Sequence, residues 1–390
     1  RFGLQPSRYV LAVGRLVPVL RARGFEFVSI SRMLGAPRGE LEPSASEGES
    51  LRGDLLLLTL AIAGAIAGLL TAMLVPIAAL AVLRPFVVVV LARRQARRWR
   101  RIRRPAGFTP PVSVVVPAYN EAAGIEAAVR SLASSDYPEF EVIVVDDGSS
   151  DGTGEIVERL GLADVKVIRE ANRGKAEALN LGLACARHEI IVAVDADTVF
   201  EPGTVRRLVR PLAEPDVGAV AGNAKVGNRR GMLGRWQHID YVTGFNLDRR
   251  LYDVLHCMPT VPGAIGAFRR AAVEAVGGFS PDTLAEDTDL TIALGRSGWK
   301  VAYVEEARGF TETPATLAAL WRQRYRWSFG TMQSVWKHRA AILRPSGGSI
   351  GRVGLPYLIA FQIVLPLLAP LIDLLALYGL LFLDPAPVLI

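Results

Sequence analysis

Three acidic or polar clusters have the residue types and spacing to do chemistry. Asp195-Ala196-Asp197 follows the apolar run Ile190–Val194. Two carboxylates at i and i+2 past a strand end can hold one divalent cation, with phosphate oxygens and waters completing an octahedron. The same dipeptide spacing also serves as a turn in which Asp caps the next helix. Asp146-Asp147, at the end of another predicted strand, favours the cation reading. Leu284-Ala285-Glu286-Asp287-Thr288-Asp289 packs acids ahead of a helical stretch, Leu290–Arg296. Acids in a first turn suit the helix dipole. Three acids in four residues exceed what capping needs, and a displacement on a sugar needs one carboxylate to take the acceptor hydroxyl's proton, so both readings stay open on these residues alone. Gln323, Arg326 and Trp327 stand at i, i+3 and i+4, hence on one helical face. An amide, a fixed cation and an indole together suit a sugar chain and a diphosphate. Trp321, Trp327 and Trp336, interleaved with arginines, equally suit a helix lying on a membrane surface.

The elements that must position these clusters alternate between Pro110 and Thr313. Val112–Val116, Phe140–Val145, Val165–Ile168, Ile190–Val194 and Val217–Ala221 read as strands, and Ile125–Ala133 and Ala176–Ala186 as helices. Such alternation predicts an α/β domain with a parallel sheet covered by helices and ligands at the carboxyl ends of the strands.

Apolar blocks flank this domain. Leu55–Leu83 is 29 residues without charge, enough to cross a bilayer, with Pro76 a predicted kink. Val353–Ile372 is a second uncharged block, interrupted by Pro356, Pro366 and Pro370, and Asp373 beyond it is either a helix-end residue or a channel-facing group. At the N-terminus, Val10 to Leu20 have helical spacing, Gly24 is placed to end that helix, and Phe25–Ile30 reads as a strand. The chain starts at Arg1 and stops at Ile390 in apolar sequence, so it reads as a piece of something longer.

Charge narrows the function further. The chain has 390 residues, 45 basic and 38 acidic, for a net charge of +7. Residues 93–104 (RRQARRWRRIRR) contain eight arginines and no acid, which leaves −1 for the rest. A basic run beside a spanning helix fixes topology by the positive-inside rule and touches anionic lipid headgroups, so no nucleic-acid partner is expected. The downstream domain is therefore expected to face the cytoplasm. Two cysteines and four histidines exclude a disulfide scaffold and a Cys/His zinc cluster.

The segments PAYNE, VVDDGSSDGT, NRGKAEALN, VDADT, LAEDTDL and QRYRW, in this order, resemble the family-2 glycosyltransferases. The likeness is greatest to the processive membrane synthases of chitin, hyaluronan, cellulose and poly-N-acetylglucosamine, and covers roughly residues 110–340. It implies a GT-A (Rossmann-like) nucleotide-sugar-binding fold flanked by transmembrane helices, in a multi-pass protein of a bacterial inner membrane. It also implies a UDP-sugar donor, a polysaccharide acceptor and Mg²⁺ or Mn²⁺. By this resemblance Tyr119 and Glu121 contact the uridine, one of Asp146 and Asp147 the uracil, and Lys175 lies near the nucleotide. Asp195 and Asp197 form the metal motif, with Asp197 the direct ligand. Asp287 is the general base with Glu286 beside it. Gln323, Arg326 and Trp327 hold diphosphate and acceptor end, and Gly263 lies in the acceptor-side loop Val261–Arg270. Ala285 stands where the family often has Thr, so a supporting hydroxyl is missing. RARGFEFVSISRMLG resembles the closing helix–strand of a polysaccharide deacetylase domain, which directs the donor expectation to N-acetylglucosamine.

The expected organisation is a deacetylase-like remnant at 1–37, a linker at 38–53 and a membrane helix at 54–92. A basic segment at 93–109 follows, then the catalytic domain at 110–313, interface helices at 314–342 and a membrane region at 353–390. The function expected is an inverting β-glycosyltransferase extending a polysaccharide. The alternatives are a family-2 enzyme glycosylating a lipid carrier and an inactive nucleotide-binding or export subunit.

Overall fold

A computed structural model describes residues 8–35, 46–101 and 107–382. Half of the expected linker (38–45), the end of the arginine run and residues 383–390 lie outside them. The chain divides into two compact units, Arg1–Met73 and Leu74–Ile390.

In the first unit, α1 (Arg8–Ala22) forms as its apolar spacing predicts, and Gly24 closes it at φ +87°. The strand expected at Phe25–Ile30 does not form: Phe25–Ser29 is irregular and α2 (Ile30–Leu34) follows. A strand needs a neighbour to satisfy its backbone groups, and no sheet exists among the described residues of this unit. A long helix, α3 (Glu47–Arg101), carries the chain onward without interruption through Pro76 and Pro85.

The second unit is built on one eight-stranded sheet. Its elements are β1 (Val112–Ala118), α4 (Ile125–Ala133), β2 (Phe140–Asp147), β3 (Val165–Glu170), α5 (Lys175–Cys185), β4 (Ile190–Ala193), β5 (Val199–Phe200) and β6 (Val217–Val226). After these come α6 (Gly231–Asp240), α7 (Leu247–Leu255), β7 (Gly266–Arg269), α8 (Glu286–Arg296), β8 (Lys300–Thr311) and α9 (Leu317–Lys337), with shorter helical turns between. The strand order is β3-β2-β1-β4-β7-β6-β8-β5. The expectation of a parallel sheet holds only in part. β3, β2, β1 and β4 are parallel, and β6 is parallel to β8, but β7 runs antiparallel to both β4 and β6 and β5 is antiparallel to β8. β7 is a four-residue strand wedged between β4 and β6, reached from α7 through the loop 256–265.

Both faces of the sheet are covered. Along β1, Val114 and Val116 join one core with Ile125 of α4, Leu208 and Val144, while Val115 joins the other with Leu179 of α5, Ile143 and Tyr303. This alternation places apolar residues on both sides of the pleat, as a buried strand requires. In the register Ala118 lies beside Asp146, so the turn after β1 and the acids ending β2 emerge at the same edge.

Two helical stretches, Pro76–Trp99 and Ile350–Leu374, are long and apolar enough to cross a bilayer. The first extends past Arg84, where the uncharged sequence ends. Arg84 is neutralised in place: its guanidinium donates to Asp248 at 2.6 Å and to the Tyr357 hydroxyl at 2.7 Å, and it lies 5.2 Å from the Phe361 ring centroid. The second stretch includes π turns at Ile350–Gly354 and Ile359–Val364 and leads into α10 (Leu365–Phe382), where Asp373 is exposed within the helix and not at its end. Pro356 and Pro366 each remove a backbone donor near a π turn, which the wider turn accommodates.

Opposite the acid-bearing edge, Glu141 is buried and accepts from the Ser113 hydroxyl at 2.7 Å, the Arg187 amide at 2.8 Å and Arg187 Nε at 3.0 Å. Burial alone would raise its pKa, but these donors and the Arg187 charge hold it down to about 2. A depressed folded pKa contributes stability above the unfolded value, and that stability is lost as pH falls towards 2. Glu141→Gln is therefore expected to lower unfolding free energy by about 1–3 kcal/mol at pH 7. The deficit should shrink at pH 3 in chemical denaturation; a deficit that grows in acid contradicts the account.

Candidate active site

The turn after β1 is braced by the loop after β2. Asn120 adopts φ 55°, donates its amide to the Ser149 hydroxyl at 3.0 Å and accepts from the Ser150 amide at 2.9 Å. The Glu121 amide donates to the Thr153 hydroxyl and the Ala122 amide to Asp151, both at 2.9 Å. These bonds explain why a Ser/Asp/Thr-rich loop follows Asp146-Asp147. They leave Tyr119 half exposed as a platform and Glu121 directed inward.

Of the two acids ending β2, Asp147 lines the central cavity and Asp146 does not. Asp146 accepts from the Ser149 amide at 2.9 Å and so shapes its own loop. Asp147 receives the amides of Arg173 at 2.7 Å and Gly174 at 2.9 Å, which fixes the approach to α5.

Lys175 opens α5, and its ammonium reaches two of the acidic clusters at once. Nζ lies 2.6 Å from Asp195 and 3.2 Å from Glu286. Burial opposes its charge, but Asp195 and Glu286 raise its pKa well above the usual lysine value. Gly263 belongs here because a Cβ at this position would stand 2.5 Å from Lys175 Nζ and 3.2 Å from Asp195 Oδ1. Its amide instead approaches Asp287 Oδ2 at 3.3 Å.

The remaining carboxylates are crowded. Asp197 Oδ1 accepts from the Thr311 hydroxyl at 3.0 Å and the Thr198 hydroxyl at 3.1 Å. Burial and the neighbouring Asp195 still push it up to about 6. Glu121 is raised to about 7 by burial and by the charges of Asp197, Asp195, Glu312 and Asp151. Asp287 rises to about 6, from burial and the charge of Glu286, against the pull of Lys175. Its Oδ1 takes the Thr288 amide at 2.7 Å and the Thr288 hydroxyl at 3.4 Å, so a hydroxyl does attend this carboxylate despite Ala285.

Three acids at the head of α8 have three separate tasks. Glu286 pairs with Lys175 and does not line the cavity, while Asp287 faces it. Asp289 is buried and clamps the end of α9, accepting from Lys337 Nζ at 2.8 Å and meeting His338 Nε2 at 2.8 Å. At the other end of that contact Gly330 of α9 lies against Ala285, where a Cβ on the glycine would sit 2.7 Å from the alanine Cβ. Ala285 is thus the size the helix contact allows.

α9 presents Gln323, Arg326 and Trp327 to the cavity, while Trp321 and Trp336 are exposed elsewhere on the helix. The expected Gln-Arg-Trp face therefore forms, and Trp327 belongs to it and not with the exposed Trp321 and Trp336. The Trp327 ring is set edge-on to Phe245 at 5.8 Å and lies 4.9 Å from the guanidinium of Arg324, which is itself paired to Asp240 at 2.6 Å. The Gln323 Oε1 is buried without a partner.

One cavity of about 950 Å³ unites these groups. Tyr119, Glu121, Asp147, Lys175, Asp195, Asp197, Gly263, Asp287, Gln323, Arg326 and Trp327 all line it, with Phe361, Gln362 and Pro366 at its apolar side. Sequence reasoning missed Thr311, Glu312, Arg249 and Tyr252 on its wall; they fall in segments with no acidic or glycine-rich signature. Among the described residues no three His, Cys, Asp or Glu side chains form a metal cage. Asp195 and Asp197 nevertheless fit a divalent cation that takes its other ligands from phosphate oxygens, because crowded carboxylates are relieved by such a charge.

An acid that must be ionised to accept a proton makes rate increase as pH rises through its pKa. A reaction in which Asp287 accepts the proton is accordingly expected to speed up as pH rises through about 6. Glu286→Gln removes the like charge that raises Asp287, so the acid limb of kcat should move to lower pH; a shift upward, or none, contradicts this electrostatic assignment.

The family profile described as Glycosyltransferase like family 2 matches residues 110–330. A poly-beta-1,6-N-acetyl-D-glucosamine synthase of Staphylococcus epidermidis is 33% identical over 222 residues, covering 56% of this chain and 54% of the relative. The protein of that description from Staphylococcus aureus strain COL is 30% identical over the same length. The chain thus spans about half the length of the curated relatives it matches. Among solved structures, the mannosyltransferase PcManGT from Pyrobaculum calidifontis, in complex with GDP-Man and Mn²⁺, is 27% identical with a TM-score of 0.58, over 77% of this chain and 91% of that one. With the profile covering more than half of its length, the chain belongs to glycosyltransferase-like family 2.

Proposed function

We propose that this protein is a membrane-embedded, inverting β-glycosyltransferase that transfers N-acetylglucosamine from a UDP donor to the end of a growing polysaccharide, with its catalytic domain on the cytoplasmic side of a bacterial inner membrane. The observation that carries the reading is the joining of Asp195 to Glu286 through Lys175, which sets a cation-binding pair and the general-base carboxylate on one cavity. The names of the staphylococcal relatives support the sugar, and the two apolar helices beside an arginine run support the membrane and its sidedness.

In this mechanism Tyr119 and Asp147 hold the nucleoside, and Arg326 and Gln323 meet the diphosphate. Asp197 and Asp195 would hold Mg²⁺ or Mn²⁺, which when bound supplies charge neutralisation to the UDP leaving group. Trp327 seats the acceptor end. Asp287 takes the proton of the acceptor hydroxyl as its oxygen attacks the anomeric carbon, and the bond to UDP breaks on the opposite side. One displacement inverts configuration, so an α-linked donor gives a β-linkage.

Asp287→Asn keeps the shape but cannot take a proton. Transfer is expected to fall about 10²–10⁴-fold with UDP-sugar affinity in calorimetry largely unchanged; undiminished turnover would sink the assignment. Asp197→Ala is expected to abolish the chelator-sensitive part of UDP binding, and binding that stays chelator-sensitive places the cation elsewhere.

A further inference from the structure

α7 contributes two polar side chains to the cavity that have no hydrogen-bond or ion-pair partner among the described residues. Tyr252 is 3% exposed, and its hydroxyl has no hydrogen-bond partner. Its ring is set edge-on against Tyr357 at 5.4 Å. Arg249, one helical turn earlier and on the same face, also lines the cavity. Among the described residues it has neither an ion pair nor a hydrogen bond, only the Phe245 ring 5.8 Å from its guanidinium carbon.

The other cations of the cavity are paired or exposed. Lys175 is engaged by Asp195 and Glu286 and Arg324 by Asp240; Arg326, on α9, has no ion pair among the described residues but is exposed, whereas Arg249 is half-buried. Asp287 and Asp248 are acids whose charges act on Arg249, and Asp287 lines the same cavity. Asp248, the residue before it, is anchored to Arg84, which holds α7 against the apolar helix Pro76–Trp99. A buried hydroxyl and an unpaired guanidinium are costly unless a ligand completes them. A ligand rich in hydroxyl and amide oxygens at fixed spacing does so without adding charge beside Asp287.

We propose that Arg249 and Tyr252 form an acceptor subsite that hydrogen-bonds the hydroxyl and acetamido oxygens of the saccharide chain end and holds it against Asp287. This rests on the glycosyltransferase reading, and it names residues outside that family's sequence motifs. Both side chains touch the acceptor and neither exchanges a proton with it.

The test is direct binding to the full chain in detergent, with two separate titrations. One uses a β-linked N-acetylglucosamine oligosaccharide, the other UDP with Mn²⁺. Tyr252→Phe keeps the ring contact and removes only the hydroxyl; Arg249→Gln removes the charge. Each is expected to weaken oligosaccharide binding about 3–10-fold while UDP binding is unchanged. Oligosaccharide affinity equal to that of the unaltered protein in both variants overturns the proposal. So does a UDP affinity that falls with Arg249→Gln, which would make Arg249 a diphosphate ligand, and so does an unaltered protein that binds UDP but no oligosaccharide. Failure to bind UDP with oligosaccharide binding intact would strike instead at the donor reading.

Discussion

One ammonium group holds the site together. Asp195, Asp197, Glu121, Glu286 and Asp287 are brought into one region by three different strand and helix ends, and like charges at such spacing repel. Lys175 bridges Asp195 and Glu286, which makes the crowd tolerable without satisfying it. The residual strain shows as raised pKa values on Asp197, Glu121 and Asp287, each of which also loses solvation by burial. That imbalance is useful: it favours a divalent cation at one end and a carboxylate with a pKa near its working pH at the other. Gly263 follows from the same constraint, since any side chain there would displace the ammonium.

A second set of contacts ties this chemistry to the apolar helices. Arg84 joins Asp248 and Tyr357, and lower on the same helix Gln95 and Trp99 both donate to Asp253 at 3.2 Å. Asp253 also receives the Tyr303 amide from β8 at 3.0 Å. Buried charges inside an apolar helix are costly unless paired, so these pairings hold α7 in place between the sheet and that helix. The cavity wall formed by Phe361, Gln362 and Pro366 is therefore continuous with the acidic cluster and Lys175.

Much of this was legible in the sequence where local signals coincide with function. β1, β2 and β4 are β-branched runs, and the site acids end β2 or sit just past β1 and β4. What was not legible depends on distant partners. β7 is four residues whose direction is set by the strands on either side. β8 mixes Glu and Arg with apolar residues, and only its pairing with β6 makes it a strand. Arg84 ends the uncharged stretch in sequence yet lies inside the longer helix, because Asp248 neutralises it from 164 positions away. Asp146 and Asp147 are adjacent in sequence, and only the fold separates the loop-shaping acid from the cavity-lining one. Ala285, read as a lost hydroxyl, is explained by the approach of Gly330.

The most direct measurement is to size and determine the anomeric configuration of the product that purified protein makes from labelled UDP-N-acetylglucosamine with Mg²⁺ or Mn²⁺, alongside other UDP- and GDP-sugars. The account predicts a metal-dependent, β-linked product many sugars long, formed from UDP-N-acetylglucosamine in preference to the other donors. An α-linked product, a single sugar on a lipid, or incorporation only from a different donor would contradict it.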